Sequence, residues 1–308
     1  MDQRNQSNPA WYEQVRPQLF SIAYRMLGTV ADAEDVVQEA FLRLERARRE
    51  GTVIKSHRAF LITVTTRIAI DQLRSARTQR ESYFGPWLPE PLVTATEPDA
   101  AEAAELSDSL SLSFLVLLET LTPVERAVFL LREVFDYDYE EVAEIVDRNE
   151  ANCRQILARA RRRLDQGKPR FEVDRERQRE LADRALDAFE NGEMDQLVGL
   201  LAADVAFYGD GGGKGQGLPR PIYGAERVGR LLLSAHDRYA KAGASIQRTT
   251  INGAPGTLNL DAEGRLINVF IFEIADGLIQ TIRSIINPDK LGHLGYPLSD
   301  LGRSAARN

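Results

Sequence analysis

The stretch LTPVERAVFLLREVFDYDYEEVAEIVDRNEANCRQILARARRRL, residues 121–164, decides the fold of the middle of this chain. Thr122 stands as a helix N-cap, with Pro123 at the first helical position and Glu125 closing a capping box; Asp138 and Glu141 repeat the arrangement on the next helix. Asn149 caps a third helix, on which Cys153, Leu157, Ala160 and Leu164 fall at i, i+4, i+7 and i+11 and form one apolar stripe. The other face presents Arg154, Gln155, Ala158, Arg161 and Arg162. Arg and Gln early on a helix, followed by arginines able to reach phosphates, suit base reading with backbone anchoring in a major groove. The segment therefore reads as a helix-turn-helix, although a solvated basic face on an ordinary three-helix bundle gives the same pattern.

Outside this stretch, composition sets limits. The 308 residues are 43% apolar, enough for two or three domains with real cores. No apolar run reaches the roughly 20 residues of a membrane span, and the start MDQRNQSNPAWYEQ lacks the apolar centre of a secretory signal, so a cytoplasmic location is expected. Cys153, the single cysteine, falls on the apolar stripe and is expected to be structural. The three histidines show no metal-site spacing, and neither metal nor cofactor is expected. A net charge of −7 looks unsuited to DNA until it is mapped: no Lys or Arg occurs between Arg80 and Arg126, whereas residues 67–80 and 154–163 are arginine-rich. Local fields, not net charge, would attract phosphate.

Periodicity predicts helices over 11–27, 32–50 and 58–79. The second has Ala33, Val36, Val37, Ala40, Phe41 and Leu44 on one face and Asp35, Gln38, Glu39 and Arg43 on another. The third is expected to bury Leu61, Val64, Ile68 and Leu73 and to carry Arg67, Asp71, Arg74 and Thr78 along a polar stripe. FGPWLPEPLVTATEPD, with prolines at 86, 89, 91 and 98, forbids continuous helix and marks an acidic, extended connector. After the helix-turn-helix, Gln166-Gly167-Lys168-Pro169 marks a second boundary. Beyond it come amphipathic helices at 174–191, 194–202 and 224–242, an irregular VAFYGDGGGKGQG, and β-type runs at 245–252, 257–261, 266–275 and 278–286 turned at Gly253, Gly264 and Gly277. Helices followed by a meander imply an α+β domain with helices on one face of a curved sheet. The expected divisions are 8–83, a connector at 84–105, 106–167, 172–291 and a tail at 292–308.

FSIAYRMLGTVADAEDVVQEAFLRL at 20–44 and RIAIDQLRSAR at 67–77 resemble region 2 of extracytoplasmic-function sigma factors of bacterial RNA polymerase, and residues 122–164 resemble their region 4. WLPEP at 87–91, DGGGK at 210–214 and NPDKL at 287–291 are similar to motifs of the subgroup with a fused SnoaL-like C-terminal domain, the sigma-J type. The resemblance implies two all-α domains and a cone-shaped α+β domain. It implies that Asp35, Gln38, Glu39 and Phe41 bind core polymerase, and that Arg67, Asp71, Arg74 and Arg77 hold the opened −10 strand. The loop Gly51–His57 matches the position that accepts a flipped base, and Arg154, Gln155, Ala158 and Arg161 would read the −35 duplex. Ile156 stands where many relatives carry a basic residue. The acidic, proline-rich composition of the connector suits a strand that threads the polymerase's basic RNA path by mimicking a polyanion, for which a plain solvated tether is the alternative.

SnoaL-like domains include cyclases and isomerases, which makes Tyr208, Asp210, His236 and Asp237 the candidates for chemistry. No acid–base pair is evident in the sequence, and fold likeness does not carry activity. Asp210-Gly-Gly-Gly-Lys214 lacks the spacing of a phosphate-binding loop. A regulatory role is expected instead, with Trp87 and Leu88 supplying apolar contact and Asp210, Gly211, Lys214, Asn287, Asp289 and Lys290 available for interdomain contact. The resemblance implies a non-enzymatic initiation factor with core polymerase and promoter DNA as partners and no dedicated anti-sigma protein. A ligand-responsive DNA-binding regulator, with a small molecule in the C-terminal domain, and an isomerase or cyclase fused to a DNA-binding module are the alternatives.

Overall fold

The structure, a computed structural model, describes residues 9–94, 110–165 and 175–302, apart from the side chains of residues 9–10 and 76–81. The chain divides into two compact units; among the described residues, the first holds 9–81 and 115–165 and the second 82–94, 110–114 and 175–302.

In the first unit, helices α1 (Pro9–Leu27), α2 (Val30–Arg49) and α3 (His57–Glu81) pack on one another. Their shared core includes Leu19, Ile22, Met26, Val36, Ala40, Leu44, Leu61 and Leu73. On α3 the buried stripe is wider than period alone suggested: Thr65, Thr66, Ala69 and Ile70 are buried, whereas Val64 and Ile68 remain half-exposed. Phe41 is likewise only half-buried, edge-on to the Tyr12 ring at 5.1 Å. Gly28 closes α1 at φ 75°, a left-handed conformation that a side chain would strain.

Helix α4 (Leu112–Leu118) precedes the helix-turn-helix, which comprises α5 (Pro123–Phe129), α6 (Tyr139–Val146) and α7 (Glu150–Asp165). Both expected capping boxes form, Thr122 with Glu125 and Asp138 with Glu141, and Asn149 Oδ1 accepts from Asn152 N at 2.8 Å. Helix α5 continues as a π-turn over Leu130–Val134, and Asp147 closes α6 at φ 55°. Cys153, Leu157, Ala160 and Leu164 are buried as the period requires; burial raises the Cys153 thiol pKa. Ile156 is also buried, at 5% exposure, so at this position α7 faces its own core rather than the solvent side.

The second unit is an α+β domain. Its sheet consists of β1 (Val93–Thr94), β2 (Leu201–Asp210), β3 (Ile222–Tyr223), β4 (Ser245–Ile251), β5 (Ala254–Leu260), β6 (Leu266–Ala275) and β7 (Leu278–Ile285), in the order β1-β4-β5-β6-β7-β2-β3. The expected meander is β4 to β7, all antiparallel. Helices α8 (Arg175–Glu190), α9 (Met194–Gly199) and α10 (Ala225–Lys241) bury Leu181, Leu186, Phe189, Leu197 and Leu232 against Phe207, Phe270, Phe272 and Ile282.

Three expectations require correction here. Residues 201–210, read as the end of a helix followed by an irregular stretch, form strand β2, which pairs parallel with β7. The run of glycines that follows masked the alternation of Val205 and Phe207. Asp210 therefore ends a strand instead of opening a free loop. Residues 84–94 of the connector, with Ser82 and Tyr83 from the end of the expected first division, belong to the C-terminal unit and add β1 to the edge of its sheet, while 95–105 lie outside the described residues. Residues 292–302 of the expected tail also pack there: Ser299 Oγ donates to Asp261 at 2.6 Å and Ser299 N to Leu266 O at 2.9 Å. No helix among the described residues is long and apolar enough to cross a membrane.

Candidate functional site

Three sets of candidate residues lie on the first unit. On α2, Asp35 and Gln38 are exposed, and Glu39 accepts from Arg43 at 2.8 Å, a bond that leads the causes holding its pKa below the usual carboxylate range. Beside them α1 and α2 form a groove of about 620 Å³ bounded by Tyr12, Arg16, Val37, Gln38, Phe41 and Leu42. Leu42 is 47% exposed at its rim. An apolar cleft edged by carboxylates suits a helical partner with basic flanks.

On α3, Arg74 pairs with Asp71 at 2.9 Å on an exposed surface. Arg77 lies on this helix, but its side chain falls outside the described residues. Arg67 is committed within the unit: its Nε donates to Ile145 O at 2.9 Å and Nη2 to Glu144 O at 2.8 Å. Those carbonyls end α6, where partial negative charge from the aligned peptides favours a guanidinium. Further bonds tie α1 to the helix-turn-helix and hold Arg126 in place. Gln18 donates to Tyr137 Oη at 3.1 Å, and buried Arg126 donates to Glu119 at 2.9 Å and to Met26 O at 2.6 Å. Arg25, whose pKa burial lowers to about 10, lies 5.5 Å over the Phe135 ring. In the loop preceding α3, Val53 is 91% exposed.

On α7, Arg154, Gln155, Ala158, Arg161 and Arg162 are all exposed. Arg154 pairs with Glu150 at 2.6 Å and covers the Tyr139 ring at 4.6 Å; Arg161 pairs with Glu133 at 2.8 Å. These exposed pairs are worth little in water, so phosphate can displace the carboxylates at small cost.

In the second unit the three short motifs converge on one buried carboxylate. Asp210 has no exposed surface, and it accepts from Tyr83 Oη at 2.5 Å, Leu88 N at 2.8 Å and Lys290 Nζ at 2.6 Å. Lys290, 5% exposed, also donates to Leu88 O and lies 4.4 Å from the Trp87 ring centre and 4.8 Å from that of Tyr83. Asn287 Nδ2 donates to Tyr83 Oη at 2.8 Å while its Oδ1 accepts from Asp289 N. Burial, and then the Asp210 charge, push the Tyr83 pKa well above that of an ordinary phenol. Gly211 is enclosed by the backbone of Gly215 and Gly217, and Lys214 pairs with Asp289 at 2.5 Å at the surface.

Sequence reasoning missed Tyr83, whose partners lie 127 and 204 positions away. It also missed Asn252, and the His293 ring nitrogen that meets Pro91 O at 2.7 Å. Of the candidates for chemistry, His236 packs edge-on to Phe189 at 5.7 Å, and Tyr208, two residues before Asp210 on β2, lies under Arg283 at 4.8 Å. Among the described residues no cluster of three or more His, Cys, Asp or Glu is placed to hold a metal.

Comparison with known proteins gives these surfaces a family. Residues 11–79 match the family model for Sigma-70 region 2, and residues 111–164 match Sigma-70, region 4. The chain is 37% identical over 301 residues to the ECF RNA polymerase sigma factor SigJ of Mycobacterium tuberculosis, covering 94% of each chain. It is 31% identical to the probable ECF RNA polymerase sigma factor SigI of the same organism, covering 96% of this chain and 98% of the relative. The crystal structure of the M. tuberculosis SigJ protein superposes with a TM-score of 0.74 at 34% identity, covering 95% of this chain and all of the other. With both DNA-binding regions and the C-terminal domain spanned by a single relative, the chain belongs to the extracytoplasmic-function sigma factors, which direct promoter-specific initiation by RNA polymerase.

Proposed function

We propose that this sigma factor is regulated by its own C-terminal domain, which acts without catalysis by holding the connector between regions 2 and 4. The Asp210–Lys290 centre carries the reading. A buried ion pair is weak support for stability by itself, because desolvation offsets much of the attraction. Here the pair spends its remaining hydrogen-bonding capacity on the backbone of Leu88, in the connector, and on the hydroxyl of Tyr83, immediately before it. Its geometry therefore specifies where the connector lies.

In this reading Asp35, Gln38, Glu39 and Phe41 meet core polymerase, Arg67, Asp71, Arg74 and Arg77 hold the −10 strand, and Arg154, Gln155, Ala158 and Arg161 read the −35 duplex. Trp87, Leu88, Asp210, Gly211, Lys214, Asn287, Asp289 and Lys290 regulate access. No separate anti-sigma protein is needed, and the site of action is the cytoplasm, with the polymerase.

The test is transcription in vitro with sigma-free core enzyme, comparing the wild-type chain with a variant carrying Trp87→Ala, Asp210→Ala and Lys290→Ala. The expected result is promoter-specific initiation by the wild type and an altered yield from the variant at equal core occupancy. Equal yields would sink the regulatory reading; no initiation by the wild type would contradict the sigma assignment.

A further inference from the structure

Asn252 has no exposed surface and sits in the hairpin turn between β4 and β5 at φ 51°, followed by Gly253 at φ 76°. Asn-Gly is the preferred pair for such a turn, and Gly or Asp would serve its backbone as well. The turn does not explain the carboxamide. The connector does: Asn252 Oδ1 accepts from Leu92 N at 2.8 Å, and Asn252 Nδ2 donates to Leu110 O at 2.9 Å. Asn252 N adds a bond to Leu92 O at 2.8 Å, and β1 pairs Val93 with Ile251 and Thr94 with Thr250 beside it. Closing two distant backbone groups with one side chain needs a donor and an acceptor together, which an amide has and a carboxylate or glycine lacks.

The consequence is a matter of length. Between the end of α3 and the start of α4 lie 30 residues, 82–111. Joining Leu92 to Leu110 removes the 17 residues 93–109 from that path and leaves 13. Fully stretched, about 30 residues reach roughly 100 Å, and 13 reach roughly 45 Å. By their own numbering the −10 and −35 elements lie about 25 base pairs apart, roughly 85 Å of duplex at about 3.4 Å per pair. Fully stretched, the clasped connector reaches about half of that span, whereas the open one exceeds it. Within the first unit α3, the −10 reader, is bonded through Arg67 to the end of α6 in the helix-turn-helix that carries α7, so the two must separate for the readers to reach both elements.

We propose that Asn252 is a clasp on the connector, and that promoter-dependent initiation requires it to open. This rests on the assignment of α3 and α7 as the −10 and −35 readers. The clasp differs from the Asp210 centre, which holds residues 83–88: Asn252 bonds to both Leu92 and Leu110 and so bridges the two ends of the connector.

The experiment locks and unlocks the clasp in the full-length chain. Val93→Cys and Ser111→Cys would be joined by a short bifunctional thiol reagent with a reductively cleavable centre; Cys153 is buried and its raised thiol pKa keeps it out of the reaction. The joined chain should bind core polymerase, yet initiate at least about tenfold less from a promoter selected with the wild-type holoenzyme, and recover when the link is cleaved. Asn252→Gly keeps the positive φ and so the hairpin, and should raise initiation about three- to tenfold at limiting sigma, as expected for losing the clasp bonds. Asn252→Asp, which retains only the acceptor, should lie between. A joined chain that initiates as well as the open one, or an Asn252→Gly chain that folds normally and initiates like the wild type, would overturn the proposal. Loss of core binding in the joined chain would overturn it as well, since the clasp acts after docking. A wild-type chain that initiates nowhere would instead refute the reader assignment on which the clasp depends.

Discussion

Replacing Asp210 with alanine isolates the energetics of the connector's anchor. The substitution leaves the Lys290 ammonium buried without its carboxylate and strips Leu88 N and Tyr83 Oη of their acceptor. Removing one member of a buried ion pair costs about 3–5 kcal/mol. Lys290 keeps Leu88 O and the faces of Trp87 and Tyr83, which puts the expected loss near the lower end, about 3 kcal/mol, or a hundredfold or more in the docked-to-undocked ratio. Trp87 is the natural reporter, read by fluorescence in a Trp11→Phe background during urea titration, with far-ultraviolet circular dichroism following the rest of the chain. The tryptophan transition should move to lower urea ahead of the helical signal. Adding Lys290→Met to Asp210→Ala should restore at least half of the loss, because no charge is then left uncompensated. A single-variant cost under about 1 kcal/mol, or a double variant no better than the single, would refute the account of Asp210 as a buried anchor.

Two further outcomes are expected. Arg74→Ala should impair strand opening, seen by permanganate footprinting, more than duplex binding, and Arg154→Ala should do the reverse, each by about 1–3 kcal/mol; equal sensitivity in both assays would contradict the division of labour. Because the Tyr83 pKa is raised in the fold, its stabilisation is complete below about pH 10, where the free phenol is protonated, and is lost as pH rises toward the folded value. The absorbance difference at alkaline pH between the wild type and Tyr83→Phe should show one phenol ionising late, together with the Trp87 change, and ordinary titration of Tyr83 would contradict its burial against Asp210.

The sequence alone determined the elements whose signals are local. Capping boxes at Thr122 and Asp138, the stripe through Cys153 and Leu164, and the β4–β7 runs with their glycine turns all lie within a few residues of the positions they organise. The resemblance of residues 20–44, 67–77 and 122–164 added the family, which the comparisons show. Tertiary structure alone decided where the short motifs meet. Asp210 read as a loop residue because the glycines after it suggest an irregular chain; its burial comes from β7 alongside and from Tyr83, Leu88 and Lys290, partners 127, 122 and 80 positions away. Asn252-Gly253 was legible as a turn, because a positive φ favours those residue types wherever they occur. That its side chain also bridges Leu92 and Leu110 was not, because a hydrogen bond across 160 or 142 residues leaves no periodicity in one sequence. Ile156, three residues after Cys153 and four before Ala160, lies on the same helical face as the stripe, so its burial follows from the period.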